Sequence, residues 1–267
     1  MTTTLPVRTD GSSTPSPATR AARSLVGGYA VVAYLAALTS MLYFAGFLVD
    51  LVVGKDIDSP TAASASHGTA RAVAQDVALV LLFGATHSIM ARRWFKRLLT
   101  RVVPPAMERS TFVLVASTTL FVLMRWWTPI PGTFWHATGW VRIAILLLYA
   151  AGWAFALVST FEVSHPDLFG LRQAWFALRG RPYVPPALDR DGLHRHIRHP
   201  LMAGLLIVVW ATPTMTASHL VLTVAMTGYV MAGIAFEERD LLRAYGSAYR
   251  AYRRSTPMLI PRPGRHR

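Results

Sequence analysis

Residues 200–236 read PLMAGLLIVVWATPTMTASHLVLTVAMTGYVMAGIAF, 37 residues without a formal charge. As one straight helix this stretch would be roughly 55 Å long at about 1.5 Å per residue. That is nearly twice the roughly 30 Å hydrocarbon core of a bilayer. Pro213 stands near the middle, in Thr212-Pro213-Thr214-Met215-Thr216, where a helix breaks or kinks. The stretch is predicted to be a tight hairpin of two crossings, Leu201–Ala217 and His219–Phe236.

The rest of the chain has the same character. Ser24–Val49 and Ile143–Phe161 also lack formal charge, and the 267 residues are 53% apolar and only 15% charged. A globular chain averages about 25% charged residues, so a soluble domain is excluded. Disorder is excluded by the hydrophobicity, and the absence of cysteine excludes disulfides, thiolate metal sites and a cysteine nucleophile. An all-α polytopic bundle of about six crossings is expected. Besides the hairpin, these are Ser24–Val49, Ala72–Met90, Ser110–Met124 and Trp140–Phe161, the third being short enough to extend to Trp127. Residues 1–23, rich in Thr, Ser, Pro and Ala, are expected to be a disordered tail before a single membrane domain over 24–267. The first apolar run is too long and begins too late for a cleaved signal peptide.

Net charge is +14, which alone would suit nucleic acid. Its placement argues for a membrane instead. Twenty-three of the 27 Lys and Arg fall on one side of the six-crossing topology, and only Lys55, Arg71, Arg125 and Arg142 fall on the other. The positive-inside rule then puts both termini in the cytoplasm, beside anionic lipid and without nucleic acid. Trp126, Trp127, Trp135 and Trp140 flank a turn at residues 128–132 and are expected to form an interfacial aromatic belt.

Two polar segments flank the hairpin on the basic side. The first, residues 165–200, ends in His194-Arg195-His196-Ile197-Arg198-His199-Pro200-Leu201, with Pro200 suited to the first position of a helix. The second is a helix-like stretch beginning Glu237-Glu238-Arg239-Asp240 and continuing through Tyr245, Tyr249 and Tyr252, which are spaced for one helix face. A hairpin between them brings both into one cytoplasmic site of about residues 165–260. A helix start seats a carboxylate, and the glutamates accept from an ammonium or from hydroxyls. S-adenosylmethionine carries all three groups.

The Arg-His-Pro segment, the hairpin, Glu-Glu-Arg-Asp-Leu, and then Tyr-Gly-x-x-Tyr-x-x-Tyr before Pro257-Met258-Leu259-Ile260-Pro261 resemble the isoprenylcysteine carboxyl methyltransferase superfamily of membrane enzymes. Lys55-Asp56-Ile57-Asp58, Thr86-His87-Ser88-Ile89-Met90-Ala91-Arg92, residues 103–110, Asp167-Leu168-Phe169-Gly170-Leu171-Arg172-Gln173 and residues 211–216 resemble the bacterial methanethiol S-methyltransferase branch. Together these cover nearly everything after residue 24. The resemblance implies methylation of a small volatile thiol, methanethiol to dimethyl sulfide, with S-adenosylmethionine as cofactor in an inner membrane. It assigns cofactor contacts to His194, His196, Ile197, Arg198, His199, Pro200, Leu201, Glu237 and Glu238. The prenylcysteine enzymes carry an arginine shortly before the paired glutamates. Val230-Met231-Ala232-Gly233 stands there instead, so their substrate site is not carried over.

The thiol must be activated, by a base or by a cation near the sulfur, and three residues are candidates. His87, near the basic end of the second crossing, is either a base or a helix–helix hydrogen-bond partner. His165 and Arg172 belong either to a substrate lid or to a plain interfacial loop. No metal is expected at the histidine cluster. Glu237 and Glu238 either hold the cofactor or pair with Arg243 or Arg254. Competing readings are methylation of another thiol or of a prenylcysteine carboxylate, a nicotinamide-dependent membrane reductase, and a transporter, which would place its polar residues at the bilayer midplane. Oligomeric state is not legible.

Overall fold

The computed structural model describes residues 17–51, 53–62, 68–185 and 192–261. In chain order, α1 (Pro17–Val49) crosses away from the basic end of the bundle, and α2 (Thr69–Met90) returns. The short α3 (Arg93–Leu99) and a 3-10 turn (Pro105–Met107) lead into α4 (Glu108–Trp126). Strand β1 (Thr133–His136) precedes α5 (Gly139–Val163), followed at the basic end by α6 (His165–Leu168) and α7 (Leu171–Leu178). A 3-10 turn at Gly192–Arg195 precedes α8 (Pro200–Trp210), β2 (Thr214–Thr216) and the 39-residue α9 (Ala217–Ser255). Among the described residues, five of these helices (α1, α2, α4, α5 and α9) are long and apolar enough to cross a membrane. Leu35, Leu81, Leu147 and Val158 are more than half exposed on them, as lipid-facing side chains are. The all-α polytopic class is as expected, and the chain is an integral membrane protein.

The hairpin forms with unequal arms. Its first helix stops at Trp210 instead of Ala217, leaving 11 residues, about 16 Å of helix. Pro213 disfavours helix at Thr212, and the chain leaves helical geometry at Ala211 (φ −84°, ψ 73°). The Thr212 amide bonds back to the Trp210 carbonyl at 3.0 Å, a tight turn after which Thr214–Thr216 are extended as a strand. Carbonyls at a helix end have no partner within the helix. Here the Val209 carbonyl accepts from Thr223 Oγ1 at 2.8 Å and lies 3.0 Å from His219 Nε2. The second arm is capped by Thr216, whose Oγ1 accepts from the His219 amide. At the chain's start, helix begins at Pro17, before Ser24, since Pro favours a first helical turn and Ala18, Ala21 and Ala22 are strong helix formers. Residues 1–16 of the expected tail lie outside the described residues. The third crossing gains both ends, running from Glu108 to Trp126.

The end opposite the basic one is closed by polar contacts that the Lys55–Asp58 motif organises. Lys55 Nζ donates to the carbonyls of Arg125 and Trp127 at 2.9 and 2.8 Å. Ile57 is buried, its amide bonds the Phe47 carbonyl, and its own carbonyl accepts from Ser218 Oγ. Asp58 accepts from Thr216 Oγ1 at 2.8 Å, and buried Asp76 accepts from the Thr128 amide. β1 and β2 pair antiparallel, Thr133 opposite Thr216 and His136 opposite Thr214. The aromatic belt needs one correction. Trp126, Trp135 and Trp140 are exposed, but Trp127 is fully buried, because its indole donates to Ser218 Oγ at 2.8 Å beneath this cap.

Helix α8 lies against α5 at a crossing of small residues. A Cβ on Gly204 would stand 2.8 Å from the Ala156 amide nitrogen and 2.9 Å from the Gly152 carbonyl. Both neighbours are backbone and cannot swing aside. Glycine therefore lets the short helix approach closely enough to pack. Gly204→Ala should lower the thermal midpoint in detergent by several degrees, an overpacking cost of about 1–3 kcal/mol. Gly228→Ala, with nothing within 4 Å of the new Cβ, should leave the midpoint unchanged.

Candidate active site

The two polar segments meet where the hairpin returns. Arg198, on the approach to α8, donates from Nε to Glu238 Oε1 of α9 at 2.8 Å, and its Nη2 lies 2.7 Å from the same oxygen. Its Nη1 donates to the carbonyls of Arg253 and Thr256. The backbone joins in: the Arg198 amide bonds the Pro257 carbonyl at 2.9 Å, and the His199 amide bonds that of Met258 at 3.2 Å. One guanidinium thus ties the start of α8 to both the middle and the end of α9. His199 is buried at the N-cap position before Pro200. Its side chain makes no capping bond and lies between the glutamates, Nε2 3.3 Å from Glu238 and Nδ1 3.6 Å from Glu237.

The glutamates have different situations. Glu238 is 8% exposed and is held by Arg198 and His199, with Arg253 at 3.6 Å from Oε2. The Glu237 side chain is 52% exposed and, among the described residues, its ionic contact is the distant one with His199. The alternative pairing of these glutamates with Arg243 or Arg254 is not made among the described residues, and Arg243 turns to Asp240. Ile197 and Pro200 are buried, Leu201 is half-buried and His196 is exposed.

Gly246 decides where the end of α9 goes. It adopts φ 52°, ψ −119° inside the helix, a conformation reserved for glycine. The three tyrosines spaced for one face are therefore split. Tyr245 stays 45% exposed, whereas Tyr249 is buried and Tyr252 donates to the His194 carbonyl at 2.6 Å. The Tyr249 hydroxyl is buried and makes no hydrogen bond among the described residues. On the other flank, Glu162 accepts from the Leu193 amide through both oxygens, at 3.0 and 2.9 Å, and lies 3.6 Å from His194 Nδ1. Gly192, at φ 60°, leaves room for that carboxylate.

Residues 165–183 fold around Asp167. Its carboxylate accepts from Ser164 Oγ at 2.6 Å, Tyr183 Oη at 2.7 Å and Arg172 Nη1 at 2.9 Å. Burial would raise its pKa, but these donors and the Arg172 charge outweigh burial and hold the carboxyl below its ordinary value. Burial and then the Asp167 carboxylate push Tyr183 up to about 12. Arg109 of α4 donates to the Leu168 carbonyl at 2.8 Å, docking the segment on the bundle. His165 has both nitrogens engaged, Nδ1 with Thr160 at 2.8 Å and Nε2 with Tyr34 at 3.2 Å. It stacks on Phe161 with ring centroids 4.6 Å apart, and burial lowers its pKa.

His87 lies on the last turn of α2. Phe112, Phe83 and Tyr229 surround its ring at 4.8, 5.7 and 6.3 Å. Its Nδ1 is buried without a hydrogen-bond partner among the described residues, unlike either nitrogen of His165.

Comparison with known proteins bears directly on these residues. The chain is 44% identical over 239 residues to the methanethiol S-methyltransferase of Mycobacterium tuberculosis, covering 89% of this chain and 96% of that protein. The chain belongs to the methanethiol S-methyltransferase family. A second such enzyme, methanethiol S-methyltransferase 2 of Bradyrhizobium diazoefficiens, is 42% identical over 88% of this chain and 89% of its own length. Nurim of Sus scrofa is 28% identical over 178 residues, 63% of this chain and 68% of that protein. No family model matches the chain, and no solved structure does. Methyl transfer in this family requires a methyl donor.

Glu162, Tyr183 and Arg253 were missed by sequence reasoning. Glu162 carried a usable signal, a carboxylate directly after the uncharged run Ile143–Phe161. Tyr183 and Arg253 carried none, because their partners lie across loops. The Asp167 network has a definite pH sign. A depressed folded-state pKa gives stability that is present above the unfolded value and is lost as pH falls through the folded value. Hydrogen exchange in peptides spanning 165–183 should thus stay slow until the pH is below the ordinary carboxylate value of about 3.9. Tyr183→Phe removes one donor and should move that opening to higher pH.

Proposed function

We propose that this protein transfers a methyl group from S-adenosylmethionine to methanethiol, releasing dimethyl sulfide, at a site facing the cytoplasm of a bacterial inner membrane. One observation carries the reading. The Arg198–Glu238 clamp joins the two segments expected to hold the cofactor while leaving two polar groups without a hydrogen bond among the described residues. These are the half-exposed Glu237 carboxylate and the buried, unpartnered Tyr249 hydroxyl. A buried polar group without a partner is uncommon, and a ligand with donor and acceptor groups would satisfy it. The residues present therefore fit S-adenosylmethionine. Glu237 would accept from its ammonium or ribose hydroxyls, and Tyr249 would supply a hydroxyl. Arg198 and Glu238 would act as positioning residues. The identity of the thiol follows the methanethiol S-methyltransferases to which the chain is similar.

When bound, the cofactor supplies a methyl carbon already activated by sulfonium charge. What remains for the chain is to orient a thiol, exclude water and accept its proton. His87 suits the last role. Its Nδ1 has no partner to compete for it, and aromatic rings around it suit a small, polarisable sulfur compound. His165 is held by two hydroxyls, and the charge of Arg172, the candidate to hold the thiolate, is already engaged by Asp167, so both serve better as walls of the site. The rings of Tyr34 and Phe169 close on His165 from the other side.

Purified protein with S-adenosylmethionine and a panel of thiols, followed by headspace gas chromatography, tests this reading. Methanethiol should turn over and a farnesylcysteine analogue should not; the reverse pattern overturns the assignment. His87→Ala should lower kcat by about 10²-fold or more, the usual contribution of a general base, without changing cofactor affinity. A wild-type kcat in that variant across pH 6 to 9 would move the base to another residue.

A further inference from the structure

A cavity of about 470 Å³ opens between the end of α2, the start of α3 and α9. It lies on the face of α9 away from the clamp. Phe236, Asp240 and Arg243 follow the i, i+4, i+7 spacing of one helix face, and Glu238 stands roughly 160° around the helix from Asp240. The walls carry three arginines (Arg92, Arg239 and Arg243) and one carboxylate, Asp240. Asp240 accepts from Arg92 at 2.9 Å and lies 3.3 Å from Arg243. Arg239 makes no ion pair among the described residues and lies over the Phe236 ring at 5.7 Å, with Arg92 over the same ring at 4.8 Å. The cavity thus keeps an excess of two positive charges.

Its position and rim indicate what would neutralise them. Arg92 stands two residues beyond the end of the apolar helix α2, at the depth where lipid headgroups lie. Trp94 is 54% exposed and Phe236 44%. An inorganic anion would use the guanidinium groups and leave both rings in water. A phospholipid uses everything: phosphate on the arginines, which recognise it in a forked geometry, and glycerol and upper acyl chain on the rings. We propose that this cavity binds the headgroup of an anionic phospholipid. The bound phosphate would bridge Arg92, at the end of the helix bearing His87, to the arginines of the helix bearing Glu237 and Glu238.

The test needs no methyl transfer, so its failure is separate from failure of the proposed activity. Delipidated full-length protein in neutral detergent is titrated with dioleoylphosphatidylglycerol, dioleoylphosphatidylcholine or inorganic phosphate, and adducts are counted by native mass spectrometry. Phosphatidylglycerol should be retained in preference to phosphatidylcholine. Retention should fall at least fivefold in Arg239→Gln/Arg243→Gln, stay unchanged in Arg254→Gln outside the cavity, and rise in Asp240→Asn, which removes the competing carboxylate. Unchanged retention in the double variant, or equal retention of phosphatidylcholine, overturns the proposal. So does displacement of the lipid by an equal concentration of inorganic phosphate, which would make the site one for a free anion.

Discussion

The ion pair between Arg198 and Glu238 is the constraint on which the basic end depends. Both side chains are about nine-tenths buried, and removing two charges from water is costly unless geometry and further hydrogen bonds compensate. Compensation is present on both sides. Arg198 also meets the carbonyls of Arg253 and Thr256, and Glu238 also meets His199. Such a pair specifies position more than it adds stability. Its two members are 40 residues apart and are separated by the entire hairpin, so the pair forms only when α8 and α9 return in register.

That register is set at the other end of the molecule. The cap built on Lys55, Ile57 and Asp58 bonds both to the turn after α4 and to the start of α9. The β1–β2 pairing holds the hairpin turn, and Gly152 and Gly204 let α8 pack closely on α5. The residues that resemble the thiol-methylating branch at this end thus have a structural role in the fold. The short α8 is tolerated because His219 and Thr223 satisfy the Val209 carbonyl that its early end exposes.

Much of this was legible in the sequence. Charge placement and the length of the uncharged run at 200–236 sufficed for the helical class, the hairpin and the convergence of its flanks. The end of the fifth crossing was misread because hydropathy continues through Ala211-Thr212, whereas the break comes from the backbone demands of Pro213. Trp127 was misread because composition cannot separate an interfacial indole from one bonded to a buried serine 91 residues away. In the site, the pairing of the Arg-His-Pro segment with the glutamates followed from topology. Which glutamate is committed did not, since it depends on a helix rotation that carries Glu238 inward and Glu237 outward. The kink at Gly246 was equally hidden, and with it the division of labour among three evenly spaced tyrosines.

If the clamp organises the methyl-donor site, loosening it must weaken binding of the donor. Calorimetry of S-adenosylmethionine binding to wild-type and Glu238→Gln protein in detergent measures this directly. The account predicts at least a tenfold loss of affinity in Glu238→Gln, with the variant still folded by circular dichroism. Unchanged affinity in the folded variant would contradict it.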